Sequence, residues 1–288
     1  MALGLTSDSK LLDSALSGDR RSLAKLLTRI ESGFKPPLPP SNAWTLGVTG
    51  PPGVGKSTLI GSMISEWVKN GQKVAVLAVD PSSPHSGGAL LADRMRMQTE
   101  GTSDSVFIRS LASRNHPGGL SFFIGPMVDI LSAAGWSRII IETVGSGQSQ
   151  IRIVAFADRI LLVEGPDRGD IIQAEKAGIL ELADFVAINK SDLPKSDMAF
   201  NSLVSALELS ENSRIDVHLV SGLNGTGISE LITSIEEHEK SSKRDILKQR
   251  ERLLSIWDSR LLSSPLLNDL LHKLNTGSIT LEEAADMI

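Results

Sequence analysis

From residue 45 to about 222, short and nearly continuous aliphatic runs alternate with helical patterns. The runs are TLGVTG (45–50), KVAVLAVD (73–80), SVFIRSL (105–111), RIIIETVG (138–145), DRILLVEG (158–165), DFVAINKS (184–191) and DVHLVSG (216–222). Helical patterns fall at 57–70, about 121–134 and about 170–182. Runs without polar alternation are strands covered on both faces, as in a parallel sheet flanked by helices. The expectation is an α/β fold with a mostly parallel, doubly wound sheet.

The flanks have a different period. Leu11, Leu12, Ala15, Leu16, Leu23, Leu26, Leu27 and Ile30 are spaced for two short amphipathic helices, broken at SGDRR. GFKPPLPPSN (33–42) then forms a semi-rigid connector. After about 240 the strand signal ends. Ile246, Leu253, Trp257 and Leu261 make one helical stripe, and TLEEAADMI forms a last helix. The pattern divides the chain into 1–40 (helices and connector), 41–240 (the α/β unit) and 241–288 (a helical arm). Two readings of the arm stay open: it packs on its own domain, or it exchanges contacts with a second subunit.

Composition narrows the class. A net charge of −5 argues against a dominant nucleic-acid or anionic-membrane surface. No apolar run reaches the roughly 18–20 residues that span a bilayer. Asp8, Asp13 and Asp19 make the first residues unlike a secretory signal or transit peptide, so a cytoplasmic protein is expected. With no cysteine, thiolate catalysis and thiolate-ligated metals are excluded, and the five histidines are scattered.

GPPGVGKST (50–58) fits G-x-x-x-x-G-K-[ST], with a strand before it and a helix after it. This predicts a P-loop NTPase. Gly50, Pro51, Pro52, Gly53, Val54 and Gly55 form a loop whose amides can face phosphate oxygens, and Lys56, Ser57 and Thr58 open the helix. Lys56 supplies a cation to the phosphates; the Ser57 hydroxyl can ligate magnesium.

INKSD (188–192) follows a strand, at the sheet edge where a base would lie. The Asp192 carboxylate can accept from guanine N1–H and the N2 amine, whereas adenine would leave it unpaired. Asn189 can brace this arrangement and the Lys190 stem can cover the purine. Ser221, Gly222 and Leu223 open SGLNGTG, whose amides can meet guanine O6.

Asp80, Asp93 and Glu142 are candidates to hold magnesium or its waters. Asp80 also reads as a turn or cap residue in DPSS, and Asp93 as a solvated partner of Arg94 or Arg96. Glu142 precedes TVG, whose Gly145 amide can meet a γ-phosphate, and is read as a switch element.

The stretches GPPGVGKST, VAVLAVDPSSPHSGGALLADRMRM, ETVGSGQS, GDIIQAEKAGILELAD and NKSD resemble the MeaB/ArgK/MMAA GTPases over about residues 10–285. The resemblance implies magnesium-dependent GTP hydrolysis to GDP that protects, loads or reactivates an adenosylcobalamin-dependent acyl-CoA mutase, typically methylmalonyl-CoA mutase. It also implies a homodimer formed through the arm; the charge and hydropathy above argue against a nucleic acid or a membrane as partner. By motif position Asp80, Asp93 and Glu142 fall on magnesium and switch carboxylates, and GDIIQ (169–173) on a loop that signals to the mutase. Lys176 reads equally as a charge for hydrolysis and as an exposed helix lysine. The chain departs from the usual family pattern at Ala92, His116, Pro117, Ser146, Gln150 and the EGPDRGD loop, where a partner would be sensed. A metallochaperone GTPase and a nucleotide-gated module linked to basic amino-acid uptake are the alternatives. The first lacks soft or imidazole cargo ligands, and the second shows no anchor or amino-acid pocket.

Overall fold

The computed structural model describes residues 2–38, 43–80, 104–112, 123–143, 152–166, 180–208, 215–239 and 244–287. Seven strands form one sheet: β1 (Thr45–Thr49), β2 (Val74–Asp80), β3 (Val106–Ala112), β4 (Arg138–Thr143), β5 (Arg159–Glu164), β6 (Phe185–Ile188) and β7 (Asp216–Leu219). Their order is β3-β2-β4-β1-β5-β6-β7, with every pair parallel. Each aliphatic run thus became a strand, and the parallel sheet follows from burial on both faces. Strand β1 lies centrally, with Val48 opposite Glu142 of β4 and Thr49 opposite Leu162 of β5. The C-terminal ends of β4 and β5 therefore flank whatever follows β1.

Helices α1 (Ala2–Leu16) and α2 (Arg20–Glu31) precede the sheet. Asp19 caps α2 by accepting from the amides of Arg21 and Ser22, which explains the break at SGDRR. Leu23, Leu26, Leu27 and Ile30 are buried in a core shared with β2, β3, β4 and helix α4 (Ile124–Ala133). Burial of each such side chain is worth roughly 1.5–3 kcal/mol. The other sheet face packs on α3 (Lys56–Lys69), with Leu59, Ile60, Met63, Ile64 and Trp67 in its core.

Two further helices, α5 (Ser196–Glu208) and α6 (Ile228–Glu237), lie where the strand-based reading assigns nothing. Ala199, Leu203 and Leu207 face β5 and β6, and Ile228, Leu231, Ile232 and Ile235 join the α3 side. The helix expected at 170–182 lies almost wholly outside the described residues.

The arm comprises α7 (Asp245–Ser263), α8 (Leu267–Asn275) and α9 (Leu281–Asp286). Its first helix docks through charge rather than through the apolar stripe. Arg244 donates to Asp184 at 2.8 and 2.6 Å, and Arg252 Nε to the Ala155 carbonyl at 2.6 Å. Lys248 pairs with Asp158 and Arg152 with Asp258. Ile246, Leu253, Trp257 and Leu261 are exposed, at 87, 56, 52 and 37%. Among the described residues, no helix is long and apolar enough to cross a membrane.

Candidate nucleotide site

The loop from Gly50 to Gly55 leaves the end of β1 between β4 and β5, and α3 begins at Lys56. Gly50 has φ of +142°, and a Cβ there would lie 2.0 Å from the Val163 carbonyl oxygen. Only glycine permits this approach, so the first motif glycine presses the loop against the end of β5. The two later loop glycines, Gly53 and Gly55, also have positive φ.

Lys56 is buried, and its amine donates to the carbonyls of Gly50 at 2.8 Å and Pro51 at 2.9 Å. Burial pushes its pKa down from 10.5, while the Glu142 and Glu164 carboxylates pull it back up. The ammonium is thus held by its own loop, where phosphate oxygens would compete for the same donor.

Ser57 opens the first turn of α3, and its hydroxyl donates to Glu142 Oε1 at 2.9 Å. Glu142 is buried at the end of β4, and beside it the Thr143 hydroxyl bonds that of Thr49 at 3.0 Å. A hydroxyl and a carboxylate oxygen brought together at a phosphate loop are hard donors, and they fit a magnesium ion.

Asn189, at the end of β6, fastens three segments. Its Nδ2 donates to the carbonyls of Val54 at 2.9 Å and Gly55 at 3.3 Å, and its Oδ1 accepts from the Gly222 amide at 2.9 Å. The next residue, Lys190, adopts φ of +65° and reaches back to the Gly53 carbonyl at 2.8 Å. Asp192 Oδ1 accepts from the Ser221 hydroxyl at 2.7 Å, which fixes the carboxylate.

The loop that follows β7 is tied down by its own backbone. The amides of Ser221, Gly222, Asn224 and Gly225 are all committed within the protein. Among the described residues, Leu223 alone in 221–225 keeps an amide without a protein acceptor. Gly222 also packs tightly: a Cβ there would stand 2.8 Å from both Cα and N of Leu59 in α3.

These contacts gather a cation, a hydroxyl–carboxylate pair and an oriented carboxylate around one phosphate-loop turn. A family model described as "Methylmalonyl Co-A mutase-associated GTPase MeaB" matches residues 11–275. The chain belongs to the MeaB family. It is 42% identical over 245 residues to a putative GTPase of Pyrococcus horikoshii, covering 80% of this chain and 77% of that one. It is 35% identical over 234 residues to the mitochondrial methylmalonic aciduria type A homolog of Mus musculus, covering 77% of this chain and 56% of that one. A crystal structure of an LAO/AO transport system kinase shares the fold, with TM-score 0.63 at 21% identity, covering 98% of this chain and 96% of that one. This MeaB-family protein is accordingly a P-loop GTPase that binds guanine nucleotide.

Not every predicted residue of the MeaB-family site can be located. Asp80 ends β2 and pairs with Ala112 of β3, but its side chain is outside the described residues. Asp93, Gly145 and Lys176 lie outside them entirely, as do Ala92, His116, Pro117, Ser146, Gln150 and GDIIQ. Sequence reasoning passed over Glu164. It ends β5 fully buried, and its carbonyl accepts from the Asn189 amide at 2.8 Å. The signal was present: DRILLVEG, like RIIIE, is an aliphatic run ending in an acid on a strand that neighbours β1.

Proposed function

We propose that this GTPase couples GTP hydrolysis to protecting, loading or reactivating an adenosylcobalamin-dependent acyl-CoA mutase of the methylmalonyl-CoA type. The observation that carries this reading is the family match over residues 11–275, whose description names association with that mutase. The mouse relative is named for methylmalonic aciduria, which supports the same direction.

Asp192, oriented by Ser221, accepts from guanine N1–H and N2; Leu223 N–H meets O6, and Asn189 holds the base loop to the phosphate loop. Lys56 and the amides of 50–58 take the β- and γ-phosphates. Ser57 and Glu142 would hold magnesium, with Asp80 and Asp93 as further oxygen donors. When bound, the metal offsets charge on the phosphate oxygens. Water adds to the γ-phosphorus, the bond to the β–γ bridging oxygen breaks, and GDP and phosphate leave. Glu142 orients Ser57, while Lys56 offsets charge that develops on the bridging oxygen. Lys176 is a candidate for added positive charge.

The 241–288 arm is the proposed dimerising part. Its charged face is occupied by the GTPase domain, and the apolar stripe through Ile246, Leu253 and Trp257 is exposed for a second copy.

The test is steady-state GTP turnover with and without an adenosylcobalamin-dependent mutase from the same source. A basal rate that rises at least about tenfold supports the proposal, since partner-completed sites of this class gain far more than that. An unchanged rate, with GDP binding intact, sends the search to another partner.

A further inference from the structure

The helix that follows the phosphate loop meets the base loop at a single peptide. Ser62 lies half-buried in the second turn of α3, and its hydroxyl donates to the Gly222 carbonyl at 2.6 Å. The Gly222 amide donates to Asn189 Oδ1 at 2.9 Å. Both backbone polar groups of Gly222 are thus held by side chains from other elements. Leu59, three residues before Ser62 and so on the same face of α3, leaves no space for a Cβ at Gly222.

The carbonyl of Gly222 and the N–H of Leu223 belong to one peptide unit. That bond is trans, so the two groups point in opposite directions within one plane. A hydroxyl that fixes the oxygen towards α3 thereby fixes the N–H away from α3. Among the described residues, this N–H is the one amide of 221–225 with no protein acceptor. Its surroundings are tied to the base reader. The Asn224 amide donates to Ser221 Oγ at 3.2 Å, and the same hydroxyl donates to Asp192 Oδ1 at 2.7 Å. Gly225 N–H closes the turn on the Ser221 carbonyl at 2.8 Å.

Rotation of this peptide turns on ψ of Gly222 and φ of Leu223, and glycine offers it little steric resistance. No side chain fits at 222 to supply that resistance, and the Ser62 hydroxyl supplies it from α3.

We propose that Ser62 is a positioning residue for guanine specificity: its hydroxyl orients the Gly222–Leu223 peptide so that the Leu223 N–H is set for O6 of the base. The proposal rests on the base reading given above and adds to it a residue of α3. Ser62 acts only through that peptide. A fixed N–H accepts no bond from the 6-amine of adenine, so the same orientation rewards guanine and disfavours adenine.

The experiment is calorimetric titration of GDP and of 6-thio-GDP into the full chain and into Ser62→Ala. The thio analogue keeps N1–H and the N2 amine but carries sulfur, a weak acceptor, in place of O6. Alanine is the best helix former, so α3 is preserved in the variant. Ser62→Ala is expected to weaken GDP by about fivefold to tenfold, the size of one net hydrogen bond, and 6-thio-GDP by less than about twofold. The ratio of the two affinities is the readout, because a merely structural serine would move both together.

Equal losses for the two nucleotides overturn the proposal and mark Ser62 as a tie between helix and loop. Unchanged GDP affinity in the variant overturns it as well. Wild type and Asp192→Asn test the base reading itself. If wild type binds both nucleotides alike, or Asp192→Asn binds GDP like wild type, that reading falls and this inference with it. If both uphold it while Ser62→Ala matches wild type, only the Ser62 proposal falls.

Discussion

The Ser57 hydroxyl and the Glu142 carboxylate meet at 2.9 Å, joining the first turn of α3 to the end of β4. Their partnership brings two oxygen donors from positions 85 residues apart to one side of the phosphate loop. Glu142→Gln keeps the length and can still accept from Ser57, but it removes the charge that would hold magnesium. GTP turnover is expected to fall by about a hundredfold or more, as for loss of one electrostatic contributor to a transition state. GDP binding in EDTA is expected to be no weaker than wild type. Single-turnover hydrolysis and GDP titration check both halves.

Asp192 is the carboxylate proposed to read the base. Asp192→Asn replaces an acceptor by an amide that can donate, so guanine's two N–H groups lose a partner. GDP affinity is expected to drop by about a hundredfold, with xanthosine diphosphate favoured relative to GDP. Ser221→Ala, which only frees the carboxylate to rotate, should cost about 0.5–1.5 kcal/mol of binding. Competition against a fluorescent guanine nucleotide measures each.

Gly222 meets the backbone of α3 with no room for a methyl group, at 2.8 Å from Leu59 Cα and N. Gly222→Ala should destabilise the fold by about 1–3 kcal/mol, because backbone cannot yield as a flexible side chain would. It should also weaken GDP binding by disturbing the Gly222–Asn189 bond. Thermal unfolding with and without GDP separates the two effects.

His218 on β7 gives a pH signature. Burial pushes its pKa below 6.5, and Asp216 and Glu230 only partly pull it back. The unfolded chain therefore binds a proton more readily than the folded one. Stability is full above about pH 6.5 and falls as pH drops from there through the lower folded value. His218→Gln should remove that part of the acid loss. Urea unfolding at several pH values between neutral and mildly acidic tests this: parallel curves for variant and wild type would refute it.

The arm prediction is one of assembly. A Leu253→Glu, Trp257→Glu double variant places charge on the exposed stripe of α7 and leaves Arg244, Arg252 and their partners alone. A dimer should become a monomer in sedimentation, with little change in unfolding temperature. A wild-type monomer, or a variant dimer, would remove the stripe from the interface.

The sheet was legible because strands buried on both faces leave unbroken aliphatic runs, and all seven runs became strands. Helices α5 and α6 were less legible: Ala199, Leu203 and Leu207 keep a helical spacing, but each helix is short and much of its surface is polar, so its apolar face is a weak local signal beside the aliphatic strand runs. The motif residues were legible as chemistry at fixed local spacing: a glycine loop before Lys56 and Ser57, and Asn189 three residues before Asp192.

What lay beyond the sequence was long-range pairing. Local periodicity and spacing determined the seven strands, their parallel arrangement and the candidate phosphate and base residues. Only the tertiary structure decided that β4 and β5 both border β1, and this brought Glu142 to Ser57 and placed Glu164 at the end of the strand on the other side of β1. It also decided that Asn189 uses the Gly222 amide and that the arm docks by its charged face with its apolar stripe outward. The physical reason is that period and spacing are properties of adjacent residues, whereas strand order and side-chain partnership arise from competition for burial across the whole chain.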